Sequence, residues 1–201
     1  HNEKVLVMKR LLLIFILAFS FQTLSKADDI KDFEIEGMSI GDSLLEYVPK
    51  KKIDKTKIYF ETKNYGIKEE YSKIFIEENL KQFDYIAIYF RSKDTNYIIH
   101  SLSGRIEFKK NINECYKLQK NIAKEVRSIT VNTIESKDES KMLGYSGKRT
   151  SFDFEYKDYS GISITCYDYK GEDDHFAYID RLSLFAYSSE YGDFLNNRAQ
   201  K

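Results

Sequence analysis

Cys115 and Cys166 are the only two cysteines in this chain, and the patterns around them place one on a helix and the other on a strand. Across residues 111–129, Cys115, Leu118, Ile122, Val126 and Ile129 recur at steps of three and four, forming one apolar stripe of an amphipathic helix. Cys166 shares the alternating face of Ile162 and Ile164. A bond between the two sulfurs pins the longest helix to the core face of a sheet. Closing a loop of about 50 residues in this way contributes on the order of 4 kcal/mol on the chain-entropy account. Buried free thiols and a redox-active pair are the other two fates open to these cysteines. Redox sites generally hold their sulfurs in a Cys-x-x-Cys turn that lowers a thiol pKa, and cysteines this far apart lack that device.

A disulfide needs an oxidising compartment, and the first residues supply the route to one. Met8, Lys9 and Arg10 put positive charge ahead of an apolar run over residues 11–21, interrupted only by Ser20, and Ser25-Lys26-Ala27 offers small residues at −3 and −1. This is the pattern of a secretory signal peptide cleaved between Ala27 and Asp28. A membrane anchor is the competing reading. Residues 11–21, at about 1.5 Å rise each, cover only about half of a ~30 Å hydrocarbon core. Residues 1–7 precede the start that Met8 marks and read as an upstream remnant, 8–27 as the signal peptide, and 28–201 as a single exported domain, periplasmic or secreted. No cysteine follows the apolar run to take a lipid, and no later segment reads as a membrane span. Removing residues 1–27 takes away four basic residues and one acidic residue, leaving 28 basic against 31 acidic, a formal −3. A surface so near neutrality argues against a nucleic-acid partner.

The remaining patterns predict an α+β fold with antiparallel sheet and two main helices. Residues 33–36 alternate as a short strand. Ser39 followed by Asp42 resembles a capping box, with Ile40, Leu44, Leu45 and Val48 on one helical face until Pro49 and three lysines end it. Strands are expected at 58–60, 74–76, 85–90, 97–102 and 105–108, with Gly104 dividing the last two. After the helix at 111–129, residues 131–149 turn polar and read as a mobile loop. Three strands follow at 151–157, 162–169 and 176–187, and the tail from Ser188 is expected to fray. The order is helix–meander twice, giving possible halves at 28–110 and 111–201, without a residue-level repeat.

Few constellations carry chemistry. Gly144-Tyr145-Ser146-Gly147-Lys148-Arg149-Thr150 has two residues between its glycines where a phosphate loop needs four. Glu172-Asp173-Asp174-His175 gathers oxygen and imidazole ligands but lacks the spacing of a calcium loop and reads as a solvated hairpin tip. His100 stands near Ser101 and Ser103, yet regular alternation points His100 and Ser101 to opposite faces. With His175 it makes up the histidine of residues 28–201, little material for histidine catalysis or zinc. Tyr156, Tyr159, Tyr167, Tyr169, Tyr178, Tyr187 and Tyr191 crowd the last third, and an aromatic sheet face of this kind can bind glycans or peptides. No catalytic, cofactor or metal residue is assigned.

The run Phe33-Glu34-Ile35-Glu36-Gly37-Met38-Ser39-Ile40-Gly41-Asp42-Ser43-Leu44-Leu45 resembles the start of a group of exported proteins, without assigned activity, from marine alphaproteobacteria with small AT-rich genomes. The resemblance implies a periplasmic address and carries no catalytic residue. The Gly37-Met38-Ser39-x-Gly41 opening is more distantly similar to small envelope proteins of the outer-membrane assembly lipoprotein fold, which pair helices with an antiparallel sheet; their lipidated cysteine is missing here. The expectation is a non-enzymatic periplasmic binding or interaction module contacting another envelope protein, a peptide or a glycan. The alternative is a cell-envelope hydrolase using carboxylates as acid and base. Mass spectrometry of the exported protein is expected to find a chain beginning at Asp28. A chain retaining residues 8–27 would sink the cleavage assignment.

Overall fold

Apolar residues alternate with polar ones through most of the chain beyond residue 58, and each strand this produces pairs antiparallel with its neighbour. The computed structural model describes residues 29–62, 66–109, 111–142, 146–170 and 179–198. A small hairpin opens the fold: β1 (Glu34–Ile35) and β2 (Met38–Ser39) are joined by Glu36 and Gly37, both at positive φ, 54° and 79°. Two successive positive φ values are what a tight hairpin turn demands, and Gly37 meets that demand without strain. The Glu36 carboxylate accepts from the backbone N–H groups of Lys81, Gln82 and Phe83, tying this hairpin to the segment that enters β5.

Helix α1 (Lys50–Thr56) leads into β3 (Ile58–Thr62), β4 (Gly66–Ile76), β5 (Tyr85–Arg91) and β6 (Ile99–Glu107). Helix α2 (Ile112–Ile129) leads into β7 (Ile134–Lys141), β8 (Gly147–Glu155), β9 (Gly161–Tyr169) and β10 (Arg181–Tyr187), followed by the short α3 (Ser189–Asp193). The two meanders join in one 8-stranded sheet of order β3-β4-β5-β6-β10-β9-β8-β7. Strands β6 and β10 meet at the middle, in register from Arg181 opposite Glu107 to Tyr187 opposite Ser101.

One apolar core lies between the sheet and α2. It unites Ile86, Ile88, Leu102 and Ile106 of the first meander with Ile162, Ile164, Leu182 and Leu184 of the second and with Ile122 and Val126 of the helix. Cys115 and Cys166 form a disulfide on this face, with Cα atoms 6.1 Å apart and both residues fully buried. One turn further along α2, the buried Gln119 donates through Nε2 to the carbonyls of Thr150 and Ile164, each at 2.7 Å. A side-chain amide lodged in an apolar stripe is satisfied here by two strands at once. Among the described residues no helix is long and apolar enough to cross a membrane.

Four expectations need correction. Residues 39–48 form no α-helix. Ser39 does donate its N–H to Asp42, the return half of a capping box. The backbone then pairs with the approach to β6: Gly41 N–H with Ile99 O, Ile99 N–H with Asp42 O, and Leu44 N–H with Tyr97 O. Those bonds occupy the groups a helix would use, and helix α1 instead begins after Pro49, which is tolerated at a helix start. Gly104 does not divide two strands, because β6 runs through it; a Cβ there would meet the Phe83 ring at 2.6 Å, so the glycine makes room for that ring. The polar stretch 134–141 is strand β7, paired with β8 along its whole length. As the sheet edge it is exposed on both faces and so shows no apolar alternation, and its charges suit an edge strand that must not recruit another chain. Finally, residues 189–198 of the tail are folded and do not fray. Ser188 caps α3, and Tyr191 and Phe194 are buried against Tyr71 with ring centroids 4.9 Å away in each case.

Replacing both cysteines with alanine is expected to lower the unfolding free energy by roughly 2–4 kcal/mol, read from guanidinium chloride midpoints with and without reductant. Equal midpoints would show that the bridge contributes nothing.

Candidate ligand-binding groove on the open sheet face

Strand alternation that sends Ile and Leu toward α2 sends the intervening residues to the opposite face, and in the middle of the sheet these are mostly hydroxyl-bearing. Cross-strand register sets two rows side by side. Arg105, Ser183, Thr165 and Ser151 stand opposite one another across β6, β10, β9 and β8, and Ser103, Phe185, Ser163 and Asp153 form the next row. Neighbouring hydroxyls bond: Ser103 with Ser183 at 3.1 Å, Ser163 with Thr165 at 3.2 Å, and Ser151 onto the Asp153 carboxylate at 2.7 Å. Arg105, Ser183, Thr165, Ser103, Ser163 and Asp153 floor a groove of about 460 Å³ walled by Tyr89, Tyr167, Phe185 and Tyr187.

The C-terminal segment forms one rim through Gly192, Leu195 and Asn196. It can lie this close because residue 192 lacks a side chain, for a Cβ there would meet the Tyr159 carbonyl at 2.7 Å. Arg91 and His100 fasten the same segment to the sheet. Arg91 pairs with Glu190 at 3.1 Å, and His100 Nδ1 lies 3.2 Å from Ser188 Oγ and 3.5 Å from the Glu190 carboxylate. His100 falls where the β5–β6 ladder slips register by one residue, its ring edge-on to Tyr71.

Guanidinium groups line the same face. Arg105 lies over the Tyr85 ring, 5.0 Å from its centroid, and donates to the Tyr85 hydroxyl. Arg181 is held between Tyr167 and Tyr169, 5.0 and 5.1 Å from their centroids, and donates to the Tyr169 hydroxyl at 2.6 Å. The Nε of each of these arginines is buried and has no hydrogen-bond partner. Arg149 donates to Ser140 and lies 3.7 Å from Asp138 on the edge strand. Burial raises the carboxyl pKa of Glu107, Glu125 and Asp180; none of the three lines the groove.

Of the tyrosines singled out in the sequence, Tyr167 and Tyr187 wall the groove and Tyr169 stacks on Tyr167 beside it. Tyr156 lies in the main core, Tyr191 of the C-terminal segment is buried in the cluster with Tyr71 and Phe194, Tyr159 is an exposed turn residue at φ 66°, and Tyr178 lies outside the described residues. His100 takes Ser188 and Glu190 as partners and not Ser101 or Ser103. Residues 172–175, with His175, lie outside the described residues, as do Gly144 and Tyr145 of the glycine-rich stretch. Lys148 of that stretch pairs with Glu139, 3.2 Å away. Among the described residues no group of three or more His, Cys, Asp or Glu is placed to hold a metal ion. Sequence reasoning missed Arg105, Asp153 and the serine floor, because polar residues at alternate strand positions are the ordinary mark of any solvated face. Compared with family models, with curated proteins and with solved structures, the chain matches none.

Burial depresses the His100 pKa below its ordinary 6.5, against the opposing pull of Glu190. The unfolded chain therefore takes up this proton at a higher pH than the folded one, so stability is complete above pH 6.5 and falls as pH drops below it. Thermal unfolding midpoints between about pH 8 and pH 5 are expected to fall less in His100→Gln than in the parent; parallel curves would clear His100 of the effect.

Proposed function

We propose that the protein is an exported binding module that takes a small ligand in the groove on the open face of its sheet. The observation that carries this reading is the groove itself. A concave surface of about 460 Å³ combines aromatic walls with a floor of convergent hydroxyls, on five adjacent strands of a continuous sheet. Pockets of this size, with a few placed polar groups among aromatic ones, suit small ligands or short segments of larger ones. Rigid strands also hold the contacts in place more firmly than loops would.

Two features support an exported address: the signal-peptide pattern in the sequence that ends at Ala27, and a buried disulfide of the kind that persists in an oxidising environment. A periplasmic or extracellular address agrees with the resemblance of residues 33–45 to exported bacterial proteins. Peptides, glycans and segments of other envelope proteins are the ligands such an address supplies. A hydrolase working by carboxylate acid and base is the weaker reading, because the carboxyls that burial lifts lie away from the groove.

Titration with peptide and oligosaccharide panels, followed by ¹H–¹⁵N NMR, is expected to shift amide signals of β6, β10, β9 and β8 together. Tyr167→Ala is expected to weaken that binding about tenfold with little change in melting temperature. Shifts confined to other elements would overturn the reading.

A further inference from the structure

Arg105 and Asp153 line the same groove from opposite sides, and among the described residues neither has an ion-pair partner of opposite charge. Among the described residues Arg105 bonds only to the Tyr85 hydroxyl and stacks on that ring, with its Nε out of water and unbonded. No carboxylate lies within ion-pair distance of it among the described residues. Among the described residues Asp153 takes one hydrogen bond, from Ser151, and no cation. A guanidinium partly withdrawn from water without a counterion carries a cost that folds ordinarily offset by pairing. Leaving one of each sign at the two ends of a groove makes that groove complementary to a ligand carrying the reverse pair.

We infer that the groove is built for a short peptide with both termini free, its carboxylate at Arg105 and its ammonium at Asp153. This rests on the groove being a binding site and adds the class of ligand. Arg105 stands on β6 and Asp153 on β8, with β10 and β9 between them. Three strand spacings of about 4.8 Å put their backbones roughly 14 Å apart. The Arg105 guanidinium lies over Tyr85 on β5 and does not reach across that gap; with a contact of about 3 Å at each end and about 3.3–3.6 Å per residue of extended peptide, two or three residues fit.

The floor between the charges suits peptide groups. Ser103, Ser183, Ser163 and Thr165 carry hydroxyls that both donate and accept, as a peptide N–H and C=O require. Phe185 and Tyr167 offer flat apolar surface to its side chains. The two ends also differ electrostatically. Burial raises the phenols of both Tyr89 and Tyr187, the second to about 12; Arg105 opposes the rise at Tyr89, whereas Glu155 and Asp153 add to it at Tyr187. A neutral glycan leaves both charges uncompensated, and an acidic one answers only Arg105.

The test is calorimetric titration of the mature protein with the tripeptide Ala-Phe-Ala, its N-acetylated form and its C-amidated form, each mapped by NMR. The free tripeptide is expected to bind in the groove, and each cap to weaken it at least tenfold. Asp153→Asn should weaken the free peptide by a similar factor while leaving the acetylated peptide unchanged. Arg105→Gln should do the same with respect to the amidated peptide, and Arg105→Lys should retain part of the affinity. Equal binding of free and capped peptides in the groove overturns the inference and leaves the binding module standing, as does a neutral oligosaccharide binding there when no peptide does. Peptide shifts that map away from β6, β10, β9 and β8 overturn both. Far-UV circular dichroism of each variant separates lost contacts from lost fold.

Discussion

The pairing of β6 with β10 is the constraint on which the rest of this fold depends. Each half of the chain makes a helix and a four-stranded run, and neither run covers both of its edges. Joining them edge to edge, from Arg181 opposite Glu107 to Tyr187 opposite Ser101, removes two of those edges and makes one sheet. It also lets one core span both halves, so that Leu102 and Ile106 pack in the same cluster as Leu182, Leu184 and the α2 stripe. A longer continuous core buries a larger fraction of the chain than two small ones could.

The same junction creates the groove. Its floor begins at Ser103 and Arg105 on β6 and continues through Ser183, Thr165 and Asp153 on the strands of the second half. Neither half contains that surface alone. The disulfide and Gln119 act on the other side of the sheet, fixing α2 to β8 and β9, the strands that carry Asp153 and Thr165 on their open face. The scaffold under the groove is thus held by the disulfide and by the three hydrogen bonds of Gln119, ties that a ligand would not have to supply.

The C-terminal segment gives the open face its asymmetry. Tyr71, Tyr191 and Phe194 form a second, smaller apolar cluster, with Tyr89, Phe185, Tyr187 and Leu195 packed against it. Several groove-wall aromatics are therefore braced from behind. Arg91, Glu190, His100 and Ser188 close the outer side of this cluster with polar contacts. Without the segment, the central strands would present a flat aromatic surface; with it, that surface becomes a recess with a rim.

Several elements were legible in the sequence because one local pattern decided them. The α2 stripe is strongly periodic over its full length, and Cys115 and Cys166 fell on the core faces that a helical period and a strand period assign them. Residues 39–48 carried an equally plausible helical face, but their backbone groups found partners around Ile99, far away in the chain. Strand β7 had no pattern to read, since an edge exposed on both faces selects for charge. The buried tail hid for the converse reason: Tyr191 and Phe194 are isolated apolar residues whose pocket exists only once β4 delivers Tyr71. By itself, then, the sequence determined the α+β class, the main helix, most strands and the disulfide, because each follows from hydrophobic periodicity within a short window. Only the tertiary structure decided which strands meet at the centre of the sheet, and with that which polar residues converge. Arg105 and Asp153 come together because β10 and β9 lie between β6 and β8, and no local preference encodes that order.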